Sequence, residues 1–364
     1  MKLIADHAAL ADAVAWAAHA LPNRPQIPVL AGLLLEAGNG RLTVSAFDYY
    51  TSRRAEVSAD VFHPGRVLLP GRVLADVVKA LPKQPVALDT NDTEAVLTCG
   101  SAEFGLRTLD AEDFPTLPVP PEAAGTVDAA TLADAVAHIA PAAGRDDVVP
   151  MLTGICLDNT GGPLALAATD RYRIAAHTLP WQPTLPDATV NALVPGRILA
   201  DLAKSLGGGE VTLRLGDGLA AVEAAGRTTT VRLLDEQFID YRSRLTGDWP
   251  IQAEVEAAPL AAAVKRVALV AERNTAVRLT FSRGQVLVQA GGADTGRGRE
   301  TVAATLTGAD IEIAFQSQFL LDGLAGISGG QVRIGMTGAA KPALLAGPGE
   351  NPAYQYLVMA LRLA

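Results

Sequence analysis

Residues 8–15 read AALADAVA and residues 130–137 read ATLADAVA, which sets Asp12 and Asp134 122 positions apart. The same offset relates IPVLAGLLLEA from Ile27 to VPMLTGICLDN from Val149. It also relates RLTVSAFDYY from Arg41 to PLALAATDRY from Pro163, placing Asp48 over Asp170. Further along, LPGRVLADVVKAL from Leu69 matches VPGRILADLAKSL from Val194 at an offset of 125, and LRTLD from Leu106 parallels VRLLD from Val231. A fainter third copy runs through APLAAAVKRVA from Ala258, VRLTFSRGQVLVQA from Val277 and QSQFLLDGLAGI from Gln316. Self-similarity at a fixed period marks repeated structural units. Two Pro-rich or irregular joints, FPTLPVPPEAAG from Phe114 and RLTGDWP from Arg244, divide the chain into expected domains at 1–121, 125–248 and 251–364.

Each repeat has the same order of elements. A strand leads to a helix with apolar residues at i, i+4 and i+7: Leu10, Val14, Ala17; Leu132, Val136, Ile139; Leu260, Val264, Val267. Asp6 and Asp128 stand at N-cap positions, where a carboxylate accepts an otherwise unpaired first-turn N–H, and Pro259 suits a first turn. Alternating strands follow, then a second helix marked by Leu74, Val78, Leu81; Leu199, Ala203, Leu206; Leu320, Leu324, Ile327, then further strands. The expected fold class is α+β: three tandem repeats, each of two helices packed on antiparallel sheets. Repetition alone is also what an old duplication without further assembly would leave.

With 364 residues the chain suits two or three cores, and its composition, 49% hydrophobic and 19% charged, is globular. No apolar run is long enough to span a bilayer. Asp6 and Asp12 interrupt the Ala-rich N-terminus, which therefore reads as an amphipathic helix rather than a signal peptide. Cys99 and Cys156, the only cysteines, lie in alternating apolar runs and read as buried strand residues, which fits a reducing, cytoplasmic location. No cofactor or metal is expected. GGADTGRGRE from Gly291 lacks the Gly-Lys-Ser/Thr ending of a phosphate loop, and no His/Cys cluster has metal-ligand spacing. No Gly-x-Ser-x-Gly elbow occurs, His177 reads as a strand residue, and Asp170 beside Arg171 and Arg173 reads as a salt-bridged turn. The chain is thus expected not to be an enzyme.

The net charge of −9 argues against a simple basic nucleic-acid binder, so the distribution of cations matters more than their sum. Arg72 and Lys79 lie opposite the apolar face of the second helix, and Arg197 and Lys204 repeat them. Lys265 and Arg266 sit on the first helix of the third repeat, with Arg273 just beyond. An ordinary solvated face accounts for the same residues, since Asp76 and Asp201 share it and can pair with Lys79 and Lys204.

The whole chain resembles the bacterial sliding clamp family, the DNA polymerase III β subunits. The resemblance is carried by PNRPQIPVLAGLLLEA (22–37), GRDDVVPMLTGI (144–155), LAATDRYRIA (166–175), LLDEQFIDYR (233–242) and the tail YQYLVMALRL (354–363). It implies a head-to-tail homodimer that closes six similar units into a ring, with helices lining a hole and strands outside. It further implies a processivity factor that encircles duplex DNA without reading its sequence. Its partners would be the DNA polymerase III α subunit, the clamp loader, and other polymerases and repair proteins that carry clamp-binding peptides, at the nucleoid and away from membranes.

Residue by residue, the resemblance places a partner-peptide groove at Leu152, Thr169, Arg171, Tyr172, Arg173, Ile174, Gln316, Phe319, Leu357, Val358, Met359, Leu361 and Arg362. In that groove Arg171, Arg173 and Arg362 would form the rim. It places Arg24, Asp146 and Met151 on DNA-facing loops, in company with the helix cations. The dimer interface falls at Phe104, Leu106 and Leu269. Departures from the family pattern fall at Ile239, where Pro is usual, at Gln316, Ala360 and Asn274. A specialised second-copy clamp with altered partners or inhibitor response stays open, as does a peptide-binding scaffold that never closes on DNA.

Overall fold

The structure is a computed structural model that describes residues 1–364 apart from 26, 161, 187–188, 217, 271–275, 293–295, 329 and 363–364. Arg273, Asn274 and the last two residues of the tail therefore lie outside the described residues. The chain forms two compact units. One comprises Met1–Thr126, Pro183–Leu185 and Gly207–Leu233; the other comprises Val127–Gln182, Pro186–Leu206 and Leu234–Ala364.

The leading helices of the first two repeats are capped by a carboxylate. In α1 (His7–Ala18) the Asp6 carboxylate accepts the Ala9 N–H at 3.0 Å. A second helix, α2 (Gly71–Ala80), follows in the same repeat. In α3 (Ala129–Ile139) Asp128 accepts the Thr131 N–H at 2.9 Å, and these bonds hold its carboxyl below the usual range. The matching second helix is α4 (Gly196–Ala203), and a single turn, α5 (Arg242–Leu245), closes that repeat. The third repeat contributes α6 (Ala257–Val267), with Pro259 in its first turn, and α7 (Ser317–Ala325).

Leu10, Ala13, Val14 and Ala17 are buried on α1, and their counterparts are buried on α3 and α6, so the apolar spacing turned one face of each helix inward. Leu81, Leu206 and Ile327, expected on the second helices, lie beyond their ends. The run Gly207–Gly209 favours no helix. Gly326 abuts the Tyr354 ring so closely that a Cβ there would sit 2.3 Å from it.

The repeats interlock through their last strands. In the first unit the long strand Thr51–His63 pairs with Arg41–Phe47, then with Lys2–Ala5. Its other flank, over residues 51–55, takes Arg227–Arg232, the last strand of the second repeat. In the second unit Arg173–Leu179 takes Tyr354–Val358, the last strand of the third repeat, in the same antiparallel way. This exchange explains why the compact units do not follow the repeat boundaries. Two strands are left over. Ala102–Arg107, last of the first repeat, pairs only with Glu94–Cys99. Residues 296–303 of Gly296–Thr307, which occupy the place of residues 51–58, pair only with Gln285–Gly292. Both present a free flank among the described residues.

Both cysteines are buried. The Cys99 thiol donates to the Pro82 carbonyl at 3.2 Å, and burial pushes the Cys156 thiol up to about 12.

Candidate functional site

The site grows from one turn in the second unit. Strands Leu164–Thr169 and Arg173–Leu179 meet at Thr169↔Ile174. The Asp170 carboxylate accepts the N–H groups of Tyr172 and Arg173 at 3.0 and 3.1 Å. The Thr169 hydroxyl donates to the Arg173 carbonyl at 2.7 Å. This lacing holds Arg171 at φ 79°, a left-handed conformation that a non-glycine residue adopts only at a cost.

Alternation then sends neighbours to opposite faces. Ile174, paired with Leu357, joins an apolar cluster with Cys156, Leu193, Tyr241, Leu245 and Leu344. Met151, Phe238, Ile239, Trp249 and Leu357 pack on it half-buried. Leu152 is half-buried too, its carbonyl accepting the Gly144 N–H at 2.7 Å. On the turn side, Tyr172 is 60% exposed and stacks on half-buried Phe319 at 6.2 Å. The tail crosses here. Met359 donates its N–H to the Tyr172 carbonyl at 2.8 Å, and Leu361 donates to Ala314 at 2.7 Å. Met359 is 43% exposed, and Leu361, Gln316, Arg171 and Arg362 are exposed beside it.

Several expected groove residues point elsewhere. Val358 is 0% exposed, and Thr169 is buried with its hydroxyl committed to the turn. Arg173 is not at a rim. Its guanidinium is buried, donating to Asp170 at 2.9 Å, Asp322 at 2.5 Å, the Tyr356 hydroxyl at 3.2 Å and the Pro141 carbonyl. Burial alone would lower its pKa, but these partners raise it above the ordinary arginine value. Strand period explains both reversals: Arg173 and Val358 pair with each other on the face opposite Ile174 and Leu357. Conversely, Phe238, Tyr241, Trp249 and Leu344 belong to the apolar cluster without standing among the expected groove residues. The one available signal was Phe238, which stands before Ile239 as Phe114 stands before Pro115.

Behind the cluster, Asp158 accepts from Arg242 at 2.8 Å and from the Tyr241 hydroxyl at 3.2 Å, and from Thr160. Burial would raise its carboxyl, but the hydrogen bonds from Thr160 and Arg242 hold it below the usual range. Burial also pushes His177 down, helped by the stacked His138 ring at 6.1 Å.

The cations fall on the surface of their respective units. Arg24, Arg72 and Lys79 are exposed in the first, with Arg72 donating to Asn23 at 2.8 Å. Arg197, Lys204, Lys265 and Asp146 are exposed in the second. Lys204 pairs with Asp201 at 3.1 Å, and Arg266 is tied to Glu300 at 2.5 Å, so its charge is partly answered. Met151, expected on a DNA-facing loop, packs instead against the apolar cluster. Phe104 is 39% exposed on the free strand and Leu269 is exposed, but Leu106 is 8% exposed and belongs to the first unit's core. No group of three His, Cys, Asp or Glu among the described residues is placed to hold a metal, and no described helix is long and apolar enough to cross a membrane.

Three family models for the DNA polymerase III beta subunit match the chain: the N-terminal domain at residues 1–118, the central domain at 126–240 and the C-terminal domain at 248–362. The chain is 46% identical to the beta sliding clamp of Streptomyces coelicolor, over 100% of both chains. It is 38% identical to the beta sliding clamp homolog GriR of Streptomyces muensis, over 100% of this chain and 99% of that one. The crystal structure of a sliding clamp from Pseudomonas aeruginosa bound to griselimycin superposes with a TM-score of 0.93 at 27% identity, over 100% of both chains.

Proposed function

The chain belongs to the DNA polymerase III beta subunit family of sliding clamps, and from that premise we propose how its own residues perform the work: two copies close head to tail around duplex DNA, and the Tyr172 turn carries partner proteins along it. Its function is that of a DNA sliding clamp, a processivity factor for replication. We read the chain as non-catalytic, with clamp domains at 1–121, 125–248 and 251–364, acting at the nucleoid.

The observation that carries the ring is the strand exchange. Twice within the chain, a repeat's last strand fills the flank of the preceding repeat's long strand. Residues 296–303 and Ala102–Arg107 each keep a flank that no described strand fills. A second copy supplies the missing partner at each end and leaves no open edge. Phe104 and Leu269 sit by these flanks as apolar contacts, while Leu106 supports the strand from the core. The expected particle is a dimer of 2 × 37.7 kDa, and its charge is 2 × −9. Within the hole, Arg24, Arg72, Lys79, Arg197, Lys204, Lys265 and Arg266 neutralise phosphates weakly, which suits sliding.

The groove is supported by the apolar cluster of buried Ile174 with half-buried Leu357 and Ile239, by half-buried Leu152, and by exposed Tyr172, Met359 and Leu361. It suits a short extended peptide with large apolar anchors, steered by Arg171 and Arg362. The replicative polymerase α subunit, the clamp loader and other polymerases and repair proteins would exchange there. Identity is higher to the clamp than to the GriR homolog, so we read Ile239, Gln316 and Ala360 as tuning of the same groove.

The test is retention. Once loaded, the protein should stay on nicked circular DNA in salt that abolishes direct binding, and leave when the circle is cut. Equal loss from circular and linear DNA overturns encirclement. Phe104→Asp with Leu269→Asp should convert the dimer to monomers in light scattering.

A further inference from the structure

We propose that Arg173 is a positioning residue for the groove: it does not meet the partner peptide but fixes the aromatic wall made by Phe319 and Tyr172. The inference rests on the groove reading above. Four of the five guanidinium N–H groups are directed to Asp170, Asp322, the Tyr356 hydroxyl and the Pro141 carbonyl. A guanidinium so engaged, with its side chain 9% exposed, has little left to offer a peptide carboxylate.

What it does hold is Phe319. Its guanidinium carbon lies 4.2 Å from the Phe319 ring centroid, and that ring in turn stacks on Tyr172. The backbone is pinned as well. The Tyr356 hydroxyl accepts from Arg173 and donates to the Phe319 carbonyl at 2.8 Å. Asp322 lies three residues beyond Phe319 and so on the same face of α7, oriented by Gln318 at 2.7 Å. Gly323 lets α7 lie directly on the Tyr356 ring, since a Cβ there would sit 2.5 Å from it. Asp170 completes the circuit, because the carboxylate that binds Arg173 also shapes the turn that presents Tyr172. One buried cation thus ties the turn, α7 and the tail strand to one geometry, and the exposed wall inherits it.

A double-mutant cycle tests this, with griselimycin as the probe and calorimetry as the readout. Tyr356→Phe removes the bridging hydroxyl but keeps the ring, so the protein should stay folded. Asp322→Asn removes a charge from the knot. We expect about tenfold weaker griselimycin binding in Asp322→Asn and about threefold in Tyr356→Phe. Both losses should shrink to less than about twofold when Phe319→Leu is already present, whereas each should persist beside Leu152→Ala, whose apolar side chain makes none of these hydrogen bonds. A merely structural role would weaken binding equally in both backgrounds, and that result overturns the proposal. So does unchanged affinity in a folded Tyr356→Phe protein. If the unmutated protein fails to bind griselimycin, the groove reading itself falls and the proposal falls with it.

Discussion

The turns at Asp48 and at Asp170 are built alike. Asp48 accepts the N–H groups of Tyr50 and Thr51 at 3.0 and 2.6 Å, as Asp170 accepts those of Tyr172 and Arg173. Tyr49 and Arg171 both take positive φ, 73° and 79°. The Tyr50 carbonyl accepts the Arg232 N–H at 2.8 Å, as the Tyr172 carbonyl accepts that of Met359. The pockets beside them differ. In the first repeat, Phe114 from the connector closes over Val29, Leu34, Phe47 and Leu68 and is itself 4% exposed. In the second, Phe238 and Ile239 leave their cluster half-covered. The contrast teaches that the turn is a repeated scaffold and that the connector decides whether its pocket is filled from within or left for a partner.

The strongest way to sharpen that contrast is charge. Arg173 and Thr51 occupy equivalent places, yet only Arg173 is a buried cation. Arg173→Met leaves Asp170 and Asp322 uncompensated and should lower stability by about 4 kcal/mol in urea unfolding. Thr51→Ala should cost about 1 kcal/mol. Comparable losses at the two sites would refute the distinction.

Next comes the plug. Phe114→Ala removes a buried ring and should cost about 3 kcal/mol. Ile239→Ala, already half-exposed, should cost about 1 kcal/mol. The emptied first pocket should also gain binding of an environment-sensitive apolar dye. A first pocket that stays dark would mean the turn, not the connector, limits access.

A smaller difference concerns pH. Burial lowers the pKa of His177 in the folded state, and the equivalent residue in the first repeat is Ala55. The unfolded chain therefore binds a proton at higher pH than the native one. Stability is full above the unfolded value of about 6.5 and is lost as pH falls from there through the folded value. Asp134, His138, Tyr354 and the Thr178 carbonyl are the polar groups acting on this ring. Comparing unfolding at pH 7.5 with pH 5.5 should give a shallower slope in His177→Gln, and an unchanged slope would remove His177 from the account.

The smallest effect is expected on the helix surfaces. Lys204 pairs with Asp201, but Lys79 forms no ion pair with Asp76 among the described residues. The Lys204 pair is exposed, so Lys204→Ala should change stability by less than about 0.5 kcal/mol. Thermal melts showing a larger change would mark that pair as part of something bigger.

Much of this was legible in the residues. Asp6 and Asp128 cap as their spacing suggested, the helix faces bury the residues their period selected, and Cys99 and Cys156 are interior. Direction was harder. Alternation says that Arg173 and Ile174 part company, but not which face the helices cover, so Arg173 and Val358 were expected on the wrong side. Leu106 shares a face with Phe104, yet only Phe104 escapes the core. The pairing of Arg227–Arg232 with Thr51–His63, and the joining of Leu344 to Ile174, are contacts between distant segments. Local propensity carries no record of such partners.

The interior position of both thiols has a practical side. Cys99 is sealed beneath Pro82, and the Cys156 sulfur, pushed up to about 12, stays protonated and unreactive near neutrality. The native chain is thus already a quiet background for thiol chemistry. A single cysteine introduced at Tyr50 or at Tyr172, both exposed, would take a maleimide dye alone. The two turns could then be watched separately by fluorescence, one at a time, without first deleting a native sulfur.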